Sequence, residues 1–267
     1  MRNIELKKKL EQIYYRYNRP EYVDPDPLIF LYDYDDIADR ELTGLIASSL
    51  AFGQVGQILK SVRSVLSVME GSPRLFLKRS TSLSIMNSFS GFKHRWIKGA
   101  DLSSMLIGMK EVINKYGSLE NAFASGYDKS DKNILTAAEH FVDEITGAVD
   151  SACNRLLPSP RKKSACKRLN LFLRWMIRRD RVDPGGWDRV PASKLLVPLD
   201  VHMYRIAVAL GLTERKQKGL KTVLEVTGKF REISPEDPVK YDFALTRPGI
   251  KWGRKGLEDS GGISGSA

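Results

Sequence analysis

Cysteine and histidine are scarce, at two and three in 267 residues. Cys153 and Cys166 cannot build a disulfide framework, so reduced thiols in the cytosol are the expectation. His94, His140 and His202 have no metal-ligand spacing with one another or with the cysteines, so no metal site is expected. No stretch approaches the ~18 consecutive apolar residues of a membrane span. The opening MRNIELKKKLEQIYYRY has no apolar core and no cleavage site, which predicts no secretory signal. The expected location is therefore cytoplasmic, with no membrane partner. Period-two alternation is missing, as is any useful internal repeat, which argues against sheets and solenoids.

Acidic charge is also in short supply. Against 43 Lys+Arg stand 32 Asp+Glu, a net charge of +11 that favours a polyanionic partner, most often nucleic acid. The excess is local. Ten basic residues fall between Arg155 and Arg181, with Asp180 as the one acid. A helical scaffold for protein partners, charged only for solubility, does not account for that clustering.

What is present is an ordinary globular mixture, 42% hydrophobic and 28% charged, enough for one large domain or two small ones. Helical periodicity covers most of it, so the fold class read from the sequence is all-α. Helices are expected at 2–18, from Asp39 as N-cap, after Gln54, at 74–86, from Gly91, at 101–116, after Ser118, and at 131–149. Two more are expected at 216–231 and 235–246, the last opened by Ser234-Pro235.

The densest information lies between Arg161 and Gly211. On a helical wheel Ala165, Leu169, Phe172 and Met176 share one side, and Lys167, Arg174 and Arg178 the other. That predicts a helix with one buried face and one basic face. A loop with Pro184, Gly185 and Gly186 follows. A second helix begins at Asp200, with Met203, Ile206, Ala207 and Leu210 as its apolar stripe and Gly211 at its C′ position. Taken alone, Lys167 is one more solvated charge and Asp200 an N-cap. Taken together, they are an amine and a carboxylate at two helix starts that can converge on one cleft.

The order of these parts resembles the helix-hairpin-helix DNA glycosylase superfamily, of which endonuclease III is a member. Cys166-Lys167-Arg168-Leu169-Asn170 is similar to that superfamily's lysine turn, and Pro198-Leu199-Asp200-Val201-His202 with Arg205 to its aspartate turn. A wider resemblance, from roughly residue 20 to 248, is to an uncharacterised prokaryotic family of the same superfamily, marked by FLRWM, PLDVH and DPVKYDFAL. Three positions depart from the superfamily pattern. The hairpin reads Leu157-Pro158-Ser159-Pro160 in place of a glycine-bearing turn. The Lys167–Asp200 interval is long, as in archaeal 8-oxoguanine glycosylases. The C-terminal cysteine quartet of the iron–sulfur members is absent, so no cluster and no other cofactor is implied.

The resemblance implies two helical lobes. A barrel over 39–165 ends in the hairpin, residues 1–38 join 166–250, and 251–267 form a disordered tail. It further implies a monomeric DNA repair glycosylase, with possible abasic-site lyase activity, on damaged double-stranded DNA. Lys167 would attack C1′ of the nucleotide as a neutral amine, a form that nearby cations and a helix N-terminus favour. Asp200 would stabilise the cationic sugar. Lys162, Lys163, Arg168, Arg174, Arg178 and His202 are the expected DNA contacts, and Trp187 is the expected stacking surface for a flipped base. His202 is also read as a structural hydrogen-bonder. The alternative reading is a nucleic-acid-binding protein on the same scaffold without excision.

Overall fold

A computed structural model describes residues 2–149 and 155–251. It is 63% helix and 2% strand, an all-α fold. The helices are α1 Arg2–Tyr17, α2 Ile37–Ser49, α3 Val55–Val68, α4 Pro73–Arg79, α5 Ser82–Ser88, α6 Gly99–Tyr116, α7 Leu119–Ser125, α8 Leu135–Gly147, α9 Lys167–Ile177, α10 Val201–Ala209, α11 Leu220–Ile233 and α12 Asp242–Lys251. A two-residue antiparallel ribbon, β1 Lys93–His94 and β2 Ile97–Lys98, interrupts them. Of the tail expected over 251–267, Lys251 instead ends α12, and 252–267 lie outside the described residues.

Side-chain caps set several helix starts. Ser118 accepts from the Asn121 N–H to open α7. Asp36, not the expected Asp39, opens α2 by accepting from the N–H groups of Ala38 and Asp39. Asp39 sits in the first turn, where its carboxylate instead holds Ser72 and the Arg74 N–H at the start of α4. Residues 235–241 form turns rather than the expected helix, and α12 begins only at Asp242. Pro238 gives the reason, since it has no N–H to donate and disfavours helical backbone at Asp237. The helix expected from Gly91 is the ribbon. There His94 and Ile97 point inward while Lys93 and Lys98 stay exposed.

α2 is the central element, in contact with α3, α4, α7, α9 and the 3-10 segment Pro27–Asp33. Leu42, Leu45, Ile46 and Ala47 along it are fully buried. Gly44 lets α9 come close, because a Cβ there would lie 3.3 Å from the Phe172 ring. On one flank α6 packs against α5, α7 and α8. On the other, α12 packs against α1 and α10. One apolar cluster runs from Leu10 and Leu31 through Met105 and Phe141 to Trp175, Val226 and Phe243.

α6 and α8 also approach closely. A Cβ on Gly108 would stand 2.2 Å from the Ile145 carbonyl oxygen. That atom belongs to backbone and cannot swing away, so Gly108→Ala is expected to cost at least the roughly 1–3 kcal/mol of core overpacking. A guanidinium melt with unchanged slope and a lower midpoint would show it; an unchanged midpoint would mean that the two helices can separate freely.

Candidate active site

α9 opens at Lys167 directly after Cys166, whose backbone is left-handed at φ 45. α10 opens at Asp200. Both starts face one cleft of about 170 Å³, closed by the 25–27 loop, the end of α2, α3 and α12. That is below the roughly 300–1,000 Å³ of pockets that enclose a whole drug-sized ligand, so the cleft suits part of a larger one.

Asp200 divides its two oxygens. Oδ1 accepts from the Met203 N–H at 2.8 Å and caps α10. Oδ2 lies 3.8 Å from Lys167 Nζ. The cap therefore aims the second oxygen at the amine. Arg247 and Asp26, which also line the cleft, pair at 2.9 Å with side chains 6% and 13% exposed. Arg174 and Asp242 form a still tighter pair in the cleft wall. Burial pushes the Asp242 carboxyl up to about 6, against the pull of Arg174. Lys167 and Asp200 are 30% and 32% exposed. A long, half-solvated contact of that kind contributes only ~0–1 kcal/mol, so a ligand can replace it cheaply. Lys167 and Asp200 are thus the most solvent-accessible ion pair of the cleft, and the other two pairs are buried in its wall.

Four expectations need correction. Arg174 and Arg178 are not on a solvent-facing basic surface; they are 2% and 3% exposed. Asp183 bridges both guanidiniums, Asp242 also binds Arg174, and Asp180 and Asp237 also bind Arg178. These carboxylates reach α9 from the following loop, from the turn before α12 and from the first residue of α12, and they turn the basic face into a buried ionic staple. Trp187 is not a free stacking surface, being 4% exposed. Its ring packs 5.1 Å from that of Phe172, and its Nε1 donates to Glu41. Arg168 is anchored rather than presented, donating to the carbonyls of Ser49 and Arg155. Burial pulls its guanidinium pKa down.

Of the remaining expected contacts, Lys162 and Lys163 are exposed, and His202 is exposed on the cleft wall. The hairpin closes as a 3-10 turn over Pro160–Lys162, with Lys163 left-handed at φ 57. The N–H groups of Arg161, Lys162 and Lys163 are already taken by Ser159 and Pro160. Arg161 is tied to Asp143 and Glu139. The turn therefore offers lysine side chains, not backbone N–H groups, to a phosphate. Among the described residues no cluster of His, Cys, Asp or Glu could hold a metal ion.

Sequence reasoning missed Asp26, Asp242 and Arg247 as cleft residues. The acidic DPDP stretch and the DPVKYDFAL motif, which contains Asp242, were the visible signals, and nothing in either pointed toward Arg247.

Fold and cleft together define an all-α protein with an amine–carboxylate pair in a cleft lined by both apolar and charged side chains. The chain belongs to the family described as "Protein of unknown function (DUF2400)", whose model matches residues 26–251 and so includes every lining residue of the cleft except Pro25. No curated protein and no solved structure matches the chain. No described helix is long and apolar enough to cross a membrane.

Proposed function

We propose that this protein is a DNA glycosylase with abasic-site lyase activity, working in the cleft between two helical lobes. The observation that carries the reading is the 3.8 Å approach of Lys167 Nζ to Asp200 Oδ2 at two helix starts. Neutral Lys167 attacks C1′ of a flipped-out nucleotide, and the C1′–N bond breaks with its electron pair leaving on the base. The C1′–O4′ bond then breaks, O4′ takes up the proton that Nζ gives to Asp200, and a protonated imine is left on Nζ. Asp200 stabilises positive charge as it develops at C1′ and takes the proton lost from Nζ. Sodium borohydride reduction in the presence of an abasic duplex tests the reading, because it converts the imine to a stable protein–DNA adduct.

A second reading, binding without excision, is favoured by the hairpin, where Leu157-Pro158-Ser159-Pro160 lacks the glycines of the superfamily's turn and the N–H groups of Arg161, Lys162 and Lys163 are already taken. The trapping experiment separates the two readings.

Phosphate contact falls to Lys162 and Lys163. Replacing both with alanine is expected to flatten the plot of log affinity against log salt by about 0.9 unit per lost contact on duplex DNA. An unchanged slope would place the DNA surface elsewhere. Arg174→Ala and Arg178→Ala are expected to act on stability instead, since both guanidiniums are buried.

A further inference from the structure

The ribbon at 93–98 carries a feature that the cleft chemistry does not use. Its turn is Arg95-Trp96, and Trp96 is 56% exposed while Trp175 and Trp187 are buried. The indole is not loose. It lies 4.9 Å from the Phe52 ring at a 30° tilt. Arg95 sits 5.0 Å from the indole centroid, and Arg168 sits 5.0 Å from that of Phe52. Four side chains thus form one cation–aromatic ladder whose exposed member is Trp96.

The ladder is held in place from below. Buried His94 bonds the Phe52 carbonyl through Nε2 and the Ser61 hydroxyl through Nδ1, fixing the ribbon to α3. Arg95 is left-handed at φ 55, where a turn of this length favours glycine. Gly53, itself at φ 100, makes room for it, because a Cβ there would lie 3.0 Å from Arg95 Cδ and Nη1. Strained backbone, supported on both sides to present an exposed tryptophan, is a mark of a binding surface. The charge is of one sign, since Lys93, Arg95 and Lys98 are all exposed and the 93–98 segment contains no acid.

The ladder adjoins the cleft through two chain-neighbour pairs. Ala51 lines the cleft and Phe52 carries the ladder; Lys167 faces the cleft and Arg168 clamps Phe52. From this juxtaposition we infer that Trp96 and Phe52 form a stacking platform for an unpaired nucleobase of the strand whose sugar reaches Lys167. The inference rests on the nucleic-acid reading above but not on excision. A base has the flat face the indole can cover, and the flanking Lys93, Arg95 and Lys98 meet its phosphates.

The test is binding of the full chain to a fluorescein-labelled oligothymidylate and to a duplex of equal length. Trp96→Ala is expected to weaken single-strand binding about five- to a hundredfold, as for other base–aromatic stacks, with the salt slope unchanged because no charge is lost. Trp96→Phe keeps a ring and is expected to retain most of the affinity. Unlabelled oligothymidylate should quench tryptophan emission in the wild type more than in Trp96→Ala. Melting temperature should not move, since the side chain is largely exposed. Equal affinity of wild type and Trp96→Ala, equal quenching of both, or no binding of either nucleic acid would overturn the inference. An adduct on the abasic duplex with no dependence of binding on Trp96 rejects the platform alone. Trp96-dependent binding with no adduct rejects excision alone.

Discussion

Asp183→Ala is expected to destabilise the fold by about 3–5 kcal/mol, the cost of removing one partner from a buried ion-pair network. Asp183 is fully buried and bridges Arg174 and Arg178, so its loss strips a carboxylate from two guanidiniums at once. Those arginines join α9 to the loop after it and, through Asp242 and Asp237, to the entry of α12. For a chain of this size the loss corresponds to a fall in Tm of very roughly 10 °C. Asp188, five residues on and exposed, is the control. Its replacement by alanine should stay within about 0.5 kcal/mol. Comparable midpoints for the two variants in a denaturant melt would show that the staple carries no net stability. Since Arg174 lines the cleft, weakening of the staple should also loosen the cleft wall behind Lys167.

Asp200→Asn is expected to slow base excision by about 10²-fold or more, the usual loss when a preorganised group is removed from a developing charge. The substitution separates two roles that one side chain holds. Oδ1 caps α10 and Oδ2 faces Lys167. Asparagine caps about as well as aspartate, so stability should be nearly unchanged. Asp200→Ala removes both roles and should also cost ~1 kcal/mol of stability. Single-turnover excision rates alongside thermal melts of the three proteins decide the matter. Normal excision by Asp200→Asn, with an early melt for Asp200→Ala, would reduce the aspartate to a cap.

The sequence made the convergence of this pair legible because each residue sits at a helix start, where capping and turn signals are strong. Pro184, Gly185 and Gly186 announced the loop between them. Gly185 and Gly186 do take φ 66 and 137, with Gly185 pressed against the Arg178 carbonyl. The helical wheel failed at Arg174 and Arg178 because periodicity separates charged from apolar faces but does not show what covers a charged face. Three of the four carboxylates that cover it, Asp180, Asp183 and Asp237, lie in turns where no periodicity places them. Trp187 failed for a related reason. A loop aromatic looked free, yet the acceptor of its N–H, Glu41, is 146 positions away. Burial pushes the Glu41 carboxyl up to about 6, although it also accepts from the Leu119 and Glu120 N–H groups. Trp96 escaped notice because two-residue strands are too short to show alternation. A tryptophan inside KHRWIK was the signal available.

The central claim is that Lys167 reaches C1′ of a nucleotide in the cleft. An abasic duplex tests it most directly, because no base has to be recognised or expelled. With sodium borohydride present, the wild-type protein should yield a covalent adduct that survives denaturing electrophoresis. Lys167→Ala should yield none while binding the same duplex nearly as well, since one positive charge among many is lost. No adduct from the wild type, or an adduct of equal yield from Lys167→Ala, would contradict the account.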